Sequence, residues 1–99
     1  MLSKKQIKYL RGLANTLDAK YQIGKNEITD STIELLDNAL TAHELIKISL
    51  NKSVTDYKNE IASELVNELK AELVDIIGHV IILYRQSKNK ENRKITLPL

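Results

Sequence analysis

The sequence contains no cysteine, tryptophan or phenylalanine, and its 99 residues include one proline and three glycines. Without cysteine there is no disulfide, no thiolate nucleophile and no cysteine-ligated zinc. So little glycine and proline excludes low-complexity and collagen-like order. The aromatic residues are four tyrosines, Tyr9, Tyr21, Tyr57 and Tyr84. They fall in separate segments, so no strand carries the paired aromatics from which a sheet reads stacked bases. No apolar run approaches the roughly 20 residues of a membrane-crossing helix, and the longest, residues 80–84, is strand-sized. Lys4, Lys5, Lys8 and Arg11 near the N-terminus have no apolar stretch behind them. No signal peptide and no membrane partner are therefore expected, and the expected location is cytoplasmic.

What remains is the composition of one ordinary globular domain, 42% hydrophobic and 28% charged, expected to be a monomer. The net charge of +2 hides an uneven distribution. Residues 1–25 hold six basic residues and one acidic; residues 26–46 hold five acidic and no lysine or arginine. Residues 47–75 hold four basic and six acidic, and residues 76–99 five basic and one acidic. If the two basic ends meet in space they form the electrostatic footprint of a nucleic-acid binder; scattered solubilising charge is the competing explanation.

Hydrophobic spacing predicts a helix over residues 3–17, with Ile7, Leu10, Ala14 and Leu17 on one stripe and Lys4, Lys8 and Arg11 on another. Ser3 is its candidate N-cap. A short strand is expected at residues 20–23, then a loop through Gly24, Lys25, Asn26 and Glu27. Thr29 to Ser31 supply several N-cap candidates, Ser31 and Glu34 having capping-box spacing, at the head of a second helix reaching about residue 42. Residues 45–50 alternate as a half-buried strand, and a third helix is expected over residues 54–70. Residues 72–77 and 80–85 are β-branched runs flanking Gly78-His79, a dipeptide suited to a type II′ hairpin turn. The tail, residues 86–99, is polar and basic and is expected to be partly mobile. The order α-β-α-β-α-β-β predicts an α/β domain, a mixed four-stranded sheet with helices packed on it.

Ser3-Lys4-Lys5-Gln6 and Tyr9-Leu10-Arg11-Gly12-Leu13-Ala14, then Gln22-Ile23-Gly24-Lys25-Asn26-Glu27-Ile28-Thr29, His43-Glu44-Leu45-Ile46-Lys47, and Ile77-Gly78 with Leu83-Tyr84-Arg85 follow one another in register. Together they resemble the CRM family (chloroplast RNA splicing and ribosome maturation), in particular its stand-alone bacterial YhbY-type members, from residue 3 to about 97. The resemblance implies a fold similar to the C-terminal domain of translation initiation factor 3, and RNA as partner, with no DNA. It further implies association with precursors of the large ribosomal subunit, as an assembly factor binding ribosomal RNA.

The family's loop has the GXXG pattern, and physical chemistry explains its use. A glycine turn before a helix lets a phosphate chain approach the backbone closely, and helix N-terminal N–H groups favour anions. Gly24, Lys25 and Asn26 fit the pattern. The fourth position is Glu27, whose carboxylate repels a phosphate. An ordinary strand-to-helix turn, with Gly24 supplying its backbone angles, is the alternative for this loop. Lys4, Lys8 and Arg11 are candidates for phosphate contact against a plainly solvated helix face. Arg85 is a candidate for backbone contact or base stacking, or for pairing with a neighbouring acid. Lys88, Lys90, Arg93 and Lys94 suit nonspecific attraction to RNA.

Nothing in the pattern points to catalysis, a cofactor or a metal. His43 and His79 are isolated, and there is no phosphate-binding P-loop and no G-x-S-x-G. A different class of function stays open: a protein-interaction module in which Glu34, Asp37, Glu60, Glu64 and Glu68 dock on a basic ribosomal protein without direct RNA contact.

Overall fold

The computed structural model describes residues 2–24 and 28–99. The loop positions Lys25, Asn26 and Glu27 lie outside the described residues. Helix α1 (Lys4–Ala14) is opened by a complete capping box: the Ser3 hydroxyl accepts from the Gln6 N–H, and the Gln6 side chain accepts from the Ser3 N–H. It ends three residues before the hydrophobic stripe does. The Thr16 and Leu17 N–H groups bond three residues back, to Leu13 and Ala14, and the Thr16 hydroxyl also donates to Leu13 O, tightening the chain out of α-geometry.

Strand β1 (Tyr21–Ile23) leads to α2 (Asp30–His43). The cap of α2 is Thr29, whose hydroxyl accepts from the Thr32 N–H. The Ser31 signal loses to the upstream threonine because the helix already includes Asp30 and Ser31. Strand β2 (Leu45–Leu50) follows as expected. Residues Lys52–Tyr57 form a 3-10 helix before α3 (Lys58–Leu69), so the third helix begins four residues later than the apolar pattern suggests. Asn51 caps that short helix by accepting from the Ser53 N–H. Strands β3 (Glu72–Ile77) and β4 (Val80–Tyr84) make the closing hairpin. Its Gly78 has φ of +58° and His79 is not among the positive-φ residues. A positive φ at the first central position alone is the type II′ signature.

The sheet order is β1-β2-β4-β3, with β1 parallel to β2 and the other neighbours antiparallel. Alternation then divides the apolar residues into two cores. Ile46, Ile48 and Leu50 of β2 and Ile81 and Leu83 of β4 face α2 and α3, meeting Leu36, Leu40, Ala62, Leu65 and Leu69. Leu45, Ile82, Tyr84 and Val74 face the other side and meet Leu10 and Ala14 of α1. The sheet is thus covered by two helices on one face and one on the other.

Polarity marks the tail as loose, yet the chain path of residues 86–99 runs along the domain. Ile95 and Leu97 join the α1-side core, Pro98 O accepts from Gln6 Nε2, and Asn92 Nδ2 donates to Thr41 O. The acceptor organising this path is Glu44, fully buried at the C-cap of α2 with φ of 66°. Its carboxylate accepts from the backbone N–H groups of Ser87 (2.8 Å), Lys94 (2.9 Å) and Ile95 (3.2 Å).

Candidate nucleic-acid interface

Helix α1 lies across one face of the sheet with its Leu10–Ala14 stripe inward. About 100° around the helix from that stripe, Lys4, Lys8 and Arg11 project together. They line a groove with Ile7, Gly12, Asn15 and Ile77 of edge strand β3. Ile77 is 51% exposed, an apolar floor beside three cations. A side chain at Gly12 would meet nothing within 4 Å, so glycine is not required there by helix–sheet contact and the groove is open above it. Arg11 Nε is held at 3.0 Å from the Asp75 carboxylate. Among the described residues Lys4 and Lys8 have no ion pair. The structure therefore brings three of the expected site residues to one surface, with two charges unneutralised.

Gly24 stands at the end of β1, half-buried. Its φ lies outside the left-handed region, and among the described residues a Cβ there would meet no atom within 4 Å. Thr29 Oγ1 takes the Thr32 N–H as N-cap, and Asp30 sits in the first turn of α2, so that helix end already has a local acceptor and a local negative charge.

Arg85 is elsewhere and otherwise engaged. Its side chain is 10% exposed. One terminal nitrogen donates to Asp37 Oδ1 (2.8 Å) and Leu69 O (2.9 Å), the other to Asp37 O (3.0 Å) and Thr41 Oγ1 (2.9 Å). Of the two roles open to it in sequence, pairing with an acid is the one present: Arg85 ties the C-terminal ends of α2 and α3 to β4. A guanidinium with its terminal donors satisfied inside the fold has little left for a phosphate or a base. Asp37 is held below its ordinary carboxylate range, chiefly by the hydrogen bond from Arg85, with burial opposing. Lys88, exposed, stands 3.4 Å from the same Asp37 carboxylate. Arg93 Nε donates to Ser87 O. Lys4, Lys8 and Arg11 line the α1 groove, while Arg85, Lys88 and Arg93 engage acceptors beside α2 and within the tail.

Tyr84 is buried, and burial followed by the Glu44 charge raises its phenol above the ordinary range. Among the described residues no group of three or more His, Asp or Glu side chains is placed to hold a metal ion, and no helix is long and apolar enough to cross a membrane. Glu60, Glu64 and Glu68 share the outer face of α3 with Asn59, Ser63 and Asn67. The residue that sequence reasoning missed is Glu44. Its only sequence signal is a carboxylate wedged between an amphipathic helix and a strand, where solvent would be the usual partner.

Known proteins resemble this chain over nearly its whole length. The CRS1 / YhbY (CRM) domain model matches residues 2–85. The Probable RNA-binding protein YqeI of Bacillus subtilis is 41% identical over 98 residues, covering 99% of this chain and 100% of its own length. An RNA-binding protein of Haemophilus influenzae is 40% identical over 97 residues, with 98% and 95% covered. The solution structure of the hypothetical protein SAV1595 from Staphylococcus aureus superposes with a TM-score of 0.81 at 42% identity, covering 99% of this chain and 100% of that one.

Proposed function

We propose that this chain, which belongs to the CRS1 / YhbY (CRM) domain family, works by binding RNA, with the α1 groove as its phosphate track. The observation that carries the reading is Lys4 and Lys8 standing without ion pairs among the described residues, beside Arg11 and the exposed Ile77. Cations that gain phosphates release condensed counterions, so affinity falls with salt in proportion to the contacts made. The relatives named as RNA-binding proteins, matched over nearly their whole length, support RNA as the polyanion.

The finer reading is ribosomal RNA in precursors of the large subunit, bound by a cytoplasmic monomer that supports assembly and has no catalytic step. Gly24, with Lys25 and Asn26, would bring a second stretch of phosphate backbone close to the main chain. Lys88 and the exposed tail lysines would add weak, salt-sensitive attraction.

The test is affinity for a large-subunit ribosomal RNA fragment as a function of salt, with wild-type protein and with Lys8→Ala/Arg11→Ala. Loss of affinity and a salt slope shallower by about 1–2 support the groove, since each lost phosphate contact lowers the slope by about 0.7–0.9. Unchanged affinity and slope overturn it. Sedimentation of the tagged protein in lysate tests the ribosomal part. Co-migration with large-subunit material, lost at high salt, supports that part; migration at the top of the gradient at both salts removes it.

A further inference from the structure

On the flank of α1 opposite the lysine groove there is a cleft of about 290 Å³. It exists because β1 is short. β1 pairs only with Ile48, Ser49 and Leu50, so the first half of β2, Leu45 to Lys47, has no neighbour on that side. Residues 15–20 pass over this open edge and are tied to it by Lys47 Nζ, which donates to Leu17 O at 3.1 Å. Leu13, Leu17, Tyr21, His43 and Ile95 of the docked tail are among the residues that line it.

The polar groups in this cleft follow from strand register. Arg85 N donates to Glu44 O and Leu50 N donates to His79 O, so the even-numbered residues of β2 bond to β4. The main-chain groups of Leu45 and the N–H of Lys47 therefore point to the opposite edge, into the gap that β1 leaves. Residues 15–20 make no main-chain hydrogen bond to that edge among the described residues. The cleft thus combines apolar walls with main-chain donors and an acceptor along one side. Lys20 and Lys47 supply positive charge at its rim and Asp18 a single carboxylate.

We propose that this cleft receives one unpaired nucleobase of the bound RNA. A base has apolar faces and a hydrogen-bonding edge, and its sugar carries a phosphate on either side. Those three features match the walls, the β2 edge and the two rim lysines. Asp18 can accept from an exocyclic amine, as carboxylates do from cytosine. Single-stranded loops and bulges are the parts of RNA whose bases can be splayed out in this way. The inference rests on the RNA-binding reading and gives it a selective element: α1 holds phosphates, and the cleft favours RNA with an unstacked base.

The experiment is an amide chemical-shift titration of the full chain with AMP, with UMP and, as the base-free control, with ribose 5-phosphate. Saturable shifts at Leu45, Lys47 and Ile95 with a nucleotide but not with ribose 5-phosphate support the proposal. Equal shifts with ribose 5-phosphate, or none with either nucleotide, overturn it. Leu17 is exposed, so Leu17→Glu leaves the cores intact while placing a carboxylate in the cleft. It should weaken a short single-stranded RNA about tenfold, the scale of one lost base contact, and leave an RNA duplex unaffected. Equal weakening of both RNAs overturns the cleft assignment. Wild-type protein that shifts with AMP yet fails to bind duplex RNA would sink the α1 track and leave the cleft standing, so the two failures are distinguishable.

Discussion

Residues 1–25 and residues 76–99 are both rich in lysine and arginine, but Lys4, Lys8 and Arg11 of the first group line an open groove while Arg85, Lys88 and Arg93 of the second engage the fold's own acceptors. Lys4 and Lys8 stand along α1 without ion pairs among the described residues, and Arg11 has one partner on β3. Arg85 makes four internal hydrogen bonds, Lys88 faces Asp37, and Arg93 donates to Ser87 O. The cause is position. α1 lies alone across one face of the sheet and turns one flank to solvent, whereas β4 is a central strand whose end lies under α2 and α3. Charge counted along a sequence therefore overstates the cation available to a ligand.

The strongest way to break this contrast is to release the C-terminal segment. Glu44→Ala leaves three backbone N–H groups without their acceptor, each worth about 1–3 kcal/mol when buried, so a loss of about 3 kcal/mol or more in chemical denaturation is expected. Amide exchange at Ser87, Lys94 and Ile95 should accelerate together, because one carboxylate holds all three. Loss of stability without faster exchange at those amides would mean that Glu44 does not hold the tail.

Next is Arg85→Ala. It removes the tie among α2, α3 and β4 and leaves Leu69 O without a buried donor, at a cost of about 2–3 kcal/mol in denaturant midpoint measurements. Measured below its unfolding transition, the variant should keep wild-type affinity for RNA. A large affinity loss in a still-folded variant would put Arg85 back at the interface and erase the contrast.

Lys4→Ala/Lys8→Ala is the mirror case. Stability should stay within about 0.5 kcal/mol, as for ordinary surface changes. The slope of affinity against salt should fall by about 1–2.

The smallest effect is in pH. Asp37 is held below its ordinary value of 3.8 by Arg85. A depressed carboxylate stabilises the fold above its unfolded pKa, and that contribution is lost as pH falls through the lower folded value. Acid titration of stability should show a small loss below about pH 4 in wild type and none from this source in Asp37→Asn. Because Asp37 is 36% exposed, solvent screening keeps the difference small.

Periodicity carried most of the fold. The alternation of β2, the β-branched runs of β3 and β4, and the Gly78-His79 turn are local patterns with one geometric solution each. Boundaries were lost where two local signals competed: Thr29 against Ser31 as a cap, and 3-10 against α-geometry after Asn51. The α1 stripe of the candidate site was legible because residues four and three apart on a helix must share a face. The role of Arg85 was not, since its acceptors lie 16 to 48 residues away.

The sequence by itself determined the element order, the apolar face of β2 and the cationic flank of α1, because each depends on spacing within a single element. Tertiary structure decided which cations stay free, how the polar tail docks on a buried carboxylate, and that a three-residue β1 leaves half of β2 uncovered. Those outcomes depend on which distant donors and acceptors the folded chain brings within hydrogen-bonding distance, and no local pattern encodes that.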